Sequence, residues 1–176
     1  MDTVTPQVLV TARLDLEPLR VGHAEEMAAV LADPALYAFT GGEPLDAVAL
    51  RARYARLVAG SPEPGVGWLN WVIRARAEGR AAGYVQATVT GPAAEVAWVV
   101  GRPWQGRGIA TEAARALVGW LEGRAVREVV AHVHPAHGAS AAVAAAAGLV
   151  ATDEWSDGEV RWRLRFPTAG PVGSVG

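Results

Sequence analysis

Residues Glu95–Glu112 read EVAWVVGRPWQGRGIATE. The first six predict a short strand, and Gly101, Gly106 and Gly108 then punctuate a loop that opens directly into a helix. Ile109, Ala113, Ala116, Leu117, Trp120 and Leu121 recur at helical spacing, which carries that helix to about Gly123. Glycine lets backbone N–H groups approach a ligand closely, and a helix N-terminus adds unpaired N–H groups and partial positive charge. With Arg107 inside the loop, the segment predicts either a phosphate or pyrophosphate seat or a plain tight turn from strand to helix. Two familiar versions of such a loop do not fit. A P-loop needs Lys and Ser/Thr after its second glycine, where this chain has Arg107-Gly108. A Rossmann fingerprint needs Gly or Ala at its third position, where this chain has Thr111.

Upstream, Thr11–Pro18 alternates Ala12, Leu14 and Leu16 with Arg13, Asp15 and Glu17, the pattern of a half-buried strand. A helix is expected from about His23 to Ala32, with Met27, Ala28 and Leu31 on its apolar face, stopped by Asp33-Pro34. Tyr37–Glu43 reads as a helical turn followed by a Gly-Gly loop. Pro44 opens a predicted second helix, Leu45 to Ala59, with Leu45, Val48, Ala52, Ala55 and Val58 as its buried stripe. Trp68–Arg74 and Ala81–Val89 form a predicted hairpin around Ala77–Arg80. Beyond the central segment come a buried strand Val129–Val133, an alanine-rich helix Ala139–Ala147 ended by Gly148, and a hairpin of Val150–Trp155 with Val160–Phe166. The order describes one α/β domain with a mixed sheet.

Composition narrows the function. The chain has 176 residues, 51% hydrophobic and 19% charged, with a net charge of −2, a balance that suits a single globular domain. It lacks the basic excess of a nucleic-acid binder and any apolar run of membrane-spanning length, so neither nucleic acid nor membrane is an expected partner. Met1–Gln7 has no basic start and no apolar stretch, so a cytoplasmic location is expected. There is no cysteine, which excludes disulfides, thiolate metal sites and cysteine nucleophiles. All sixteen basic residues are arginine, which excludes Schiff-base and Walker-type lysines.

Three segments together resemble a known family. Gln105-Gly106-Arg107-Gly108-Ile109-Ala110 is similar to the Gln/Arg-x-x-Gly-x-Gly/Ala pyrophosphate loop of the GCN5-related N-acetyltransferases, the GNAT family. Trp98-Val99-Val100 is similar to that family's pantetheine-binding strand. Downstream, Val133-His134-Pro135-Ala136-His137-Gly138-Ala139-Ser140 and then Ala147-Gly148-Leu149 resemble its V-x-P-x-N-x-x-S … G-F segment. His137 stands where Asn is usual and Leu149 where Phe is usual. Thr11-Ala12-Arg13-Leu14-Asp15-Leu16 resembles the T-x-R-L-x-L opening of the branch containing ribosomal-protein alanine N-acetyltransferases.

The resemblance implies a GNAT-like mixed, mostly antiparallel sheet flanked by helices, with a central strand splayed from its neighbour by a bulge. It implies a single domain over residues 1–166 and a disordered tail at 167–176. The implied activity is transfer of acetyl from acetyl-CoA to a primary amine, on a protein N-terminus or a small molecule, by direct attack in a ternary complex. The chain would act as a monomer or homodimer and without a metal. Acetyl-CoA would contact Trp98, Val99, Val100, Gln105, Gly106, Arg107, Gly108, Ile109, Ala110, Thr111, His137 and Ser140. Glu95, at the start of the splayed strand, and Glu154, on the closing hairpin, are rival bases. Many members place a Tyr acid where this chain has Ala144, so Ser140 is the expected acid, and it also suits the cap of its helix. Tyr37, Phe39 and Glu43 fall where the family places its acceptor wall. The pair His132-x-His134 reads as structural or cofactor-contacting more readily than as a metal pair. The missing Tyr and the Asn-to-His change keep a second reading open, a non-catalytic acyl-CoA-binding sensor.

Overall fold

The computed structural model describes residues 4–168, so most of the tail expected to be disordered lies outside the described residues. Eight strands form one sheet: β1 Leu9–Val10, β2 Leu14–Pro18, β3 Val66–Ala75, β4 Arg80–Thr90, β5 Ala93–Val100, β6 Glu128–Val133, β7 Val150–Ser156 and β8 Glu159–Arg165. Their spatial order is β1-β2-β3-β4-β5-β6-β8-β7. Every neighbouring pair is antiparallel except β5 and β6, which run parallel. The helices are α1 Ala24–Val30, α2 Ala47–Ala59, α3 Ile109–Glu122 and α4 Gly138–Ala146. No helix among the described residues is long and apolar enough to cross a membrane.

Alternation along the strands divides the apolar residues between two faces. Leu14, Leu16, Trp71, Val85, Val96 and Val129 face α3, which contributes Ile109, Ala113, Leu117 and Leu121 at the expected spacing, and α4, which contributes Ala144. Val72, Tyr84 and Val99 face α1 and α2, which contribute Met27, Leu50 and Tyr54. Asp157 and Gly158, at φ +50° and +79°, make the two-residue turn that joins β7 to β8.

Three sequence expectations are corrected. The strand expected over Thr11–Pro18 starts at Leu14 as β2, and Thr11–Arg13 form the turn that leads into it from β1. The helix α2 starts at Ala47, capped by the Asp46 carboxylate accepting from the Ala49 N–H at 2.8 Å, and Pro44 lies outside it. Its buried face is Ala47, Leu50, Tyr54 and Leu57, whereas Val48 is 79% and Val58 52% exposed. Two stripes were available on this alanine-rich helix, and the larger side chains took the core. Finally, β4 and β5 pair without interruption from Gly83 opposite Val100 to Thr90 opposite Ala93, so no bulge splays β5. The register shift in this region sits at Ala82 of β4, against β3. Next to it Gly83 is obligatory, since a Cβ there would lie 2.0 Å from the Val99 carbonyl oxygen.

A charged cluster ties α1 to the sheet. Arg74 donates to Glu17 at 2.7 Å and to Glu26 at 3.2 Å, Glu26 accepts the Ala81 N–H at 2.8 Å, and Glu17 meets the buried His23 ring at 3.0 Å. The Arg74 hydrogen bonds hold both carboxyls below their ordinary values, and burial pushes His23 below its own. All three groups therefore bind protons more readily in the unfolded chain. Their stabilisation is complete near neutral pH and is lost as pH falls, first below about 6.5 for His23 and then through the carboxylate range. Arg74→Ala is expected to cost about 1–3 kcal/mol at neutral pH, because two partly buried carboxylates lose their donor. It should also flatten the acidic part of the stability–pH curve, as read from denaturant midpoints between about pH 7 and about pH 4.

Candidate active site

The strand β5 and the helix α3 are joined by a short 3₁₀ turn, Arg102–Trp104, and a loop whose Gly106 and Gly108 sit at φ +73° and +75°. Only glycine takes this backbone without strain. The N–H groups of Gly106, Arg107 and Gly108 have no hydrogen-bond partner among the described residues. Those of Ile109, Ala110 and Thr111 open a helix and have no acceptor within it. Six consecutive main-chain donors thus lack an acceptor, with nothing within 4 Å of where a Gly106 side chain would stand.

The Arg107 side chain does not join them. Its guanidinium donates to Glu78 at 2.7 Å and lies 4.9 Å from the Trp104 ring centre. That hydrogen bond holds the Glu78 carboxyl below its ordinary value. Gln105 turns inward, its amide donating to the Val100 carbonyl at 3.0 Å.

A second set of contacts, unread in the sequence, fastens the loop. Glu112, in the first turn of α3, accepts from the Thr11 hydroxyl at 2.5 Å, the Arg13 N–H at 2.9 Å and Arg13 Nε at 2.8 Å. Arg13 Nη1 donates to the Arg107 carbonyl at 2.8 Å. Burial raises the Glu112 pKa, and these hydrogen bonds outweigh it, leaving the group below its ordinary value. The T-x-R opening was visible as a motif, but its partner lies 99 residues away.

The parallel pairing of β5 and β6 covers only Ala93, Ala94 and Glu95, opposite Glu128, Val129 and Val130. Beyond Glu95 the strands part. The Gly101 N–H bonds to the Ala82 carbonyl, which sets the parity of β5 against β4. By that alternation, Val99 and Ala97 direct their main-chain groups to β4, while Trp98 and Val100 direct theirs into the gap. The expected pantetheine strand thus divides, with Trp98 and the Val100 N–H open and the Val99 N–H inside the sheet.

The gap is part of a cleft of about 1080 Å³. It gathers Trp98, Val99, Val100, Gln105, Gly106 and Gly108 from the strand and loop. Ile109, Ala110 and Thr111 from α3, and His137 and Ser140 from α4, also line it. Tyr37, Phe39 and Glu43 close it on the other side. The Ser140 hydroxyl accepts from the Trp98 indole N–H at 3.1 Å, across the parted strands. The His137 ring stacks on Phe39 with centres 4.4 Å apart, and burial, followed by the charge of His134, lowers its pKa. Ala144 is fully buried.

The carboxylates are distributed differently from the sequence expectation. Glu95 is 58% exposed outside the cleft lining, and its carboxylate accepts from His132 Nδ1 at 3.1 Å. His132 itself lines the cleft. Glu154 also stands outside the lining, ion-paired with Arg163. The closing hairpin instead sends Glu159 into it. Glu159 has no hydrogen-bond or ion-pair partner among the described residues. It sits at the first position of β8, on the face shared by His132 and Arg161. Its proximity to a turn was legible, but its facing was set by the register of β8 on β6. No group of three or more potential metal ligands occurs among the described residues.

A strand that opens after three residue pairs and a helix N-terminus with free donors suit an extended ligand that ends in a phosphate. The family model described as the acetyltransferase (GNAT) domain matches residues 13–150, and the chain belongs to the GNAT acetyltransferase family, an enzyme family that uses acetyl-CoA. Among solved structures, it is similar to RimL, a ribosomal L7/L12 alpha-N-protein acetyltransferase in complex with coenzyme A, at 19% identity and TM-score 0.76, over 90% of this chain and 98% of that one. A ribosomal-protein-S5-alanine acetyltransferase from Vibrio fischeri aligns at 16% identity and TM-score 0.76, over 91% and 97%. An acetyltransferase from Agrobacterium tumefaciens aligns at 27% identity and TM-score 0.72, over 93% and 96%. No curated protein matches the chain.

Two substitutions test the loop. Gly108→Val places a branched side chain at φ +75°, with its Cβ 3.4 Å from the Arg13 guanidinium. It is expected to abolish coenzyme A binding by calorimetry while circular dichroism stays unchanged. Glu112→Ala removes no group from the cleft lining, yet should weaken coenzyme A binding roughly tenfold, about 1.4 kcal/mol, by releasing Arg13 from the loop.

Proposed function

We propose that this protein transfers acetyl from acetyl-CoA to a primary amine by direct attack within a ternary complex. The observation that carries this reading is the parted pair β5 and β6, whose free main-chain groups lead straight to the donors at the start of α3. Pantetheine extends β5 as an added strand along Trp98 and Val100, and the pyrophosphate rests on the N–H groups of residues 106–111. The loop's backbone holds the phosphates, while Arg107 braces the loop through Glu78.

The amine nitrogen attacks the thioester carbonyl carbon, a C–N bond forms, and the C–S bond then breaks to release coenzyme A thiolate. The Val100 N–H faces the gap and stabilises the oxyanion of the intermediate. An ammonium cannot attack, so its proton must leave first. Glu159 is placed to take it, as an unpartnered carboxylate in the lining. Glu95 reaches the same space through His132, as the second route. Glu154 is the least suited, since Arg163 already engages it. Ser140 accepts its hydrogen bond from Trp98, which leaves its own O–H to protonate the departing thiolate, and the proton that the nitrogen sheds as the amide forms restores the hydroxyl.

The sensor reading is kept apart by the same cleft. A binding module needs the loop and β5, but has no use for a free carboxylate in the same cleft as the serine. Release of free coenzyme A with an amine panel tests the difference. Glu159→Gln is expected to lower kcat/KM by about 10²–10⁴-fold with acetyl-CoA affinity unchanged. Glu95→Gln and His132→Gln, measured beside it, report the second route. Loss of rate in those two alone transfers the role to Glu95, and coenzyme A binding without turnover for any amine establishes the sensor.

A further inference from the structure

On its α2 side the cleft is walled by Tyr37, Tyr54 and Tyr84, with Arg53 among them. Leu50, Tyr54 and Leu57 face the sheet, and Arg53, three residues after Leu50, stands at the edge of that inward face. Arg53 has no hydrogen bond or ion pair with any described residue. The other arginines at the cleft and its loop are neutralised, Arg102 by Asp33 at 3.2 Å and Arg107 by Glu78 at 2.7 Å. Burial pushes the three phenols up in pKa and the Arg53 charge pulls each partly back, which places the guanidinium within electrostatic reach of all three rings. The hydroxyls of Tyr54 and Tyr84 are likewise unpartnered among the described residues. So are the side-chain amides of Asn70 and Gln86, register neighbours on β3 and β4 that also line the cleft.

The lining here holds one unpaired guanidinium, Arg53, and a set of neutral donors, and the Glu43 carboxylate faces the same cleft. At Arg53 itself an ammonium meets repulsion and is left to Glu43 or Glu159, whereas a carboxylate gains a charge-assisted pair with the planar guanidinium. The rings beside Arg53 offer apolar area to whatever links the two ends of the ligand. We infer that the acceptor is an amine that also carries a carboxylate, seated on Arg53 with its apolar body against the tyrosines. This inference rests on the acetyltransferase reading and narrows it, since it sets polyamines and simple alkylamines apart from the acceptor.

Matched pairs that differ in the carboxylate test this. L-Phenylalanine is compared with 2-phenylethylamine, and 5-aminopentanoate with 1-aminopentane, with spermidine as a polycation. The dipeptide amides Ala-Asp and Ala-Asn separate a free amino acid from an acidic side chain at a peptide N-terminus. Each is followed by coenzyme A release, and by calorimetric titration into the protein–coenzyme A complex. In at least one pair the carboxylate member is expected to have the higher kcat/KM and the tighter binding, by roughly 10–100-fold. Arg53→Gln should collapse that ratio through KM, with acetyl-CoA affinity kept as the check on folding. Equal use of both members of every pair, or a ratio that survives Arg53→Gln, overturns the inference and leaves the transferase reading standing. Selective, Arg53-dependent binding without coenzyme A release has the opposite meaning, supporting the carboxylate site and overturning the transfer. Absence of both binding and turnover across the panel overturns the inference.

Discussion

Pairing between β5 and β6 ends after Glu95 opposite Val130, and most of the site depends on that early end. A parallel pair that continued would consume the main-chain groups of Trp98 and Val100 in ladder hydrogen bonds. Parted, the two strands leave those groups on the wall of a cleft, with Ser140 within reach of the Trp98 indole. The separation costs sheet hydrogen bonds, and the rest of the sheet is arranged to hold it. On one side β5 is locked to β4 over its whole length, with Gly83 allowing the close approach. On the other, β6 is covered by β8 along all six of its residues.

The loop between β5 and α3 is similarly held from outside itself. Its N–H groups at 106–108 make no hydrogen bond among the described residues that would fix them. Their position comes from Trp104, buried beneath the loop, from Gln105 on the Val100 carbonyl, and from Arg13 bridging Glu112 to the Arg107 carbonyl. A phosphate seat made of backbone N–H groups works only where those groups are rigid before the ligand arrives, since ordering them on binding would subtract from affinity. The N-terminal turn at Thr11–Arg13 therefore serves the site although it lies outside the cleft lining.

The cleft is asymmetric in charge, and this sorts its two halves. The α3 end offers backbone donors and a helix terminus, suited to phosphates. The opposite half holds aromatic rings, the Arg53 guanidinium and, toward β6 and β8, the imidazoles of His132 and His134 with Glu159. Phe39 against His137 connects the halves, so the loop after α1 touches the same helix that carries Ser140.

Much of this was legible in the chain taken alone. The strand–loop–helix segment, the two glycines at positive φ and the order of most elements follow from local rules, because turn chemistry and apolar spacing act over a few residues. The residues expected to contact the coenzyme came from a resemblance of short segments, and the structure brings all of them except Arg107 to one cleft. Only the tertiary structure decided matters that depend on what lies across a gap in space. Helix α2 had two apolar stripes, and packing against α1 and the sheet chose Leu50, Tyr54 and Leu57, which brought Arg53 to the cleft. The hairpin β7–β8 carries several acidic residues, and the register of β8 on β6 sent Glu159 inward while Arg163 took Glu154. Arg107 sits in the right loop, yet Glu78, 29 residues earlier, claims its side chain. Side-chain direction on a strand reverses with each residue, so facing is set by pairing partners remote in the chain, and no local pattern carries that information.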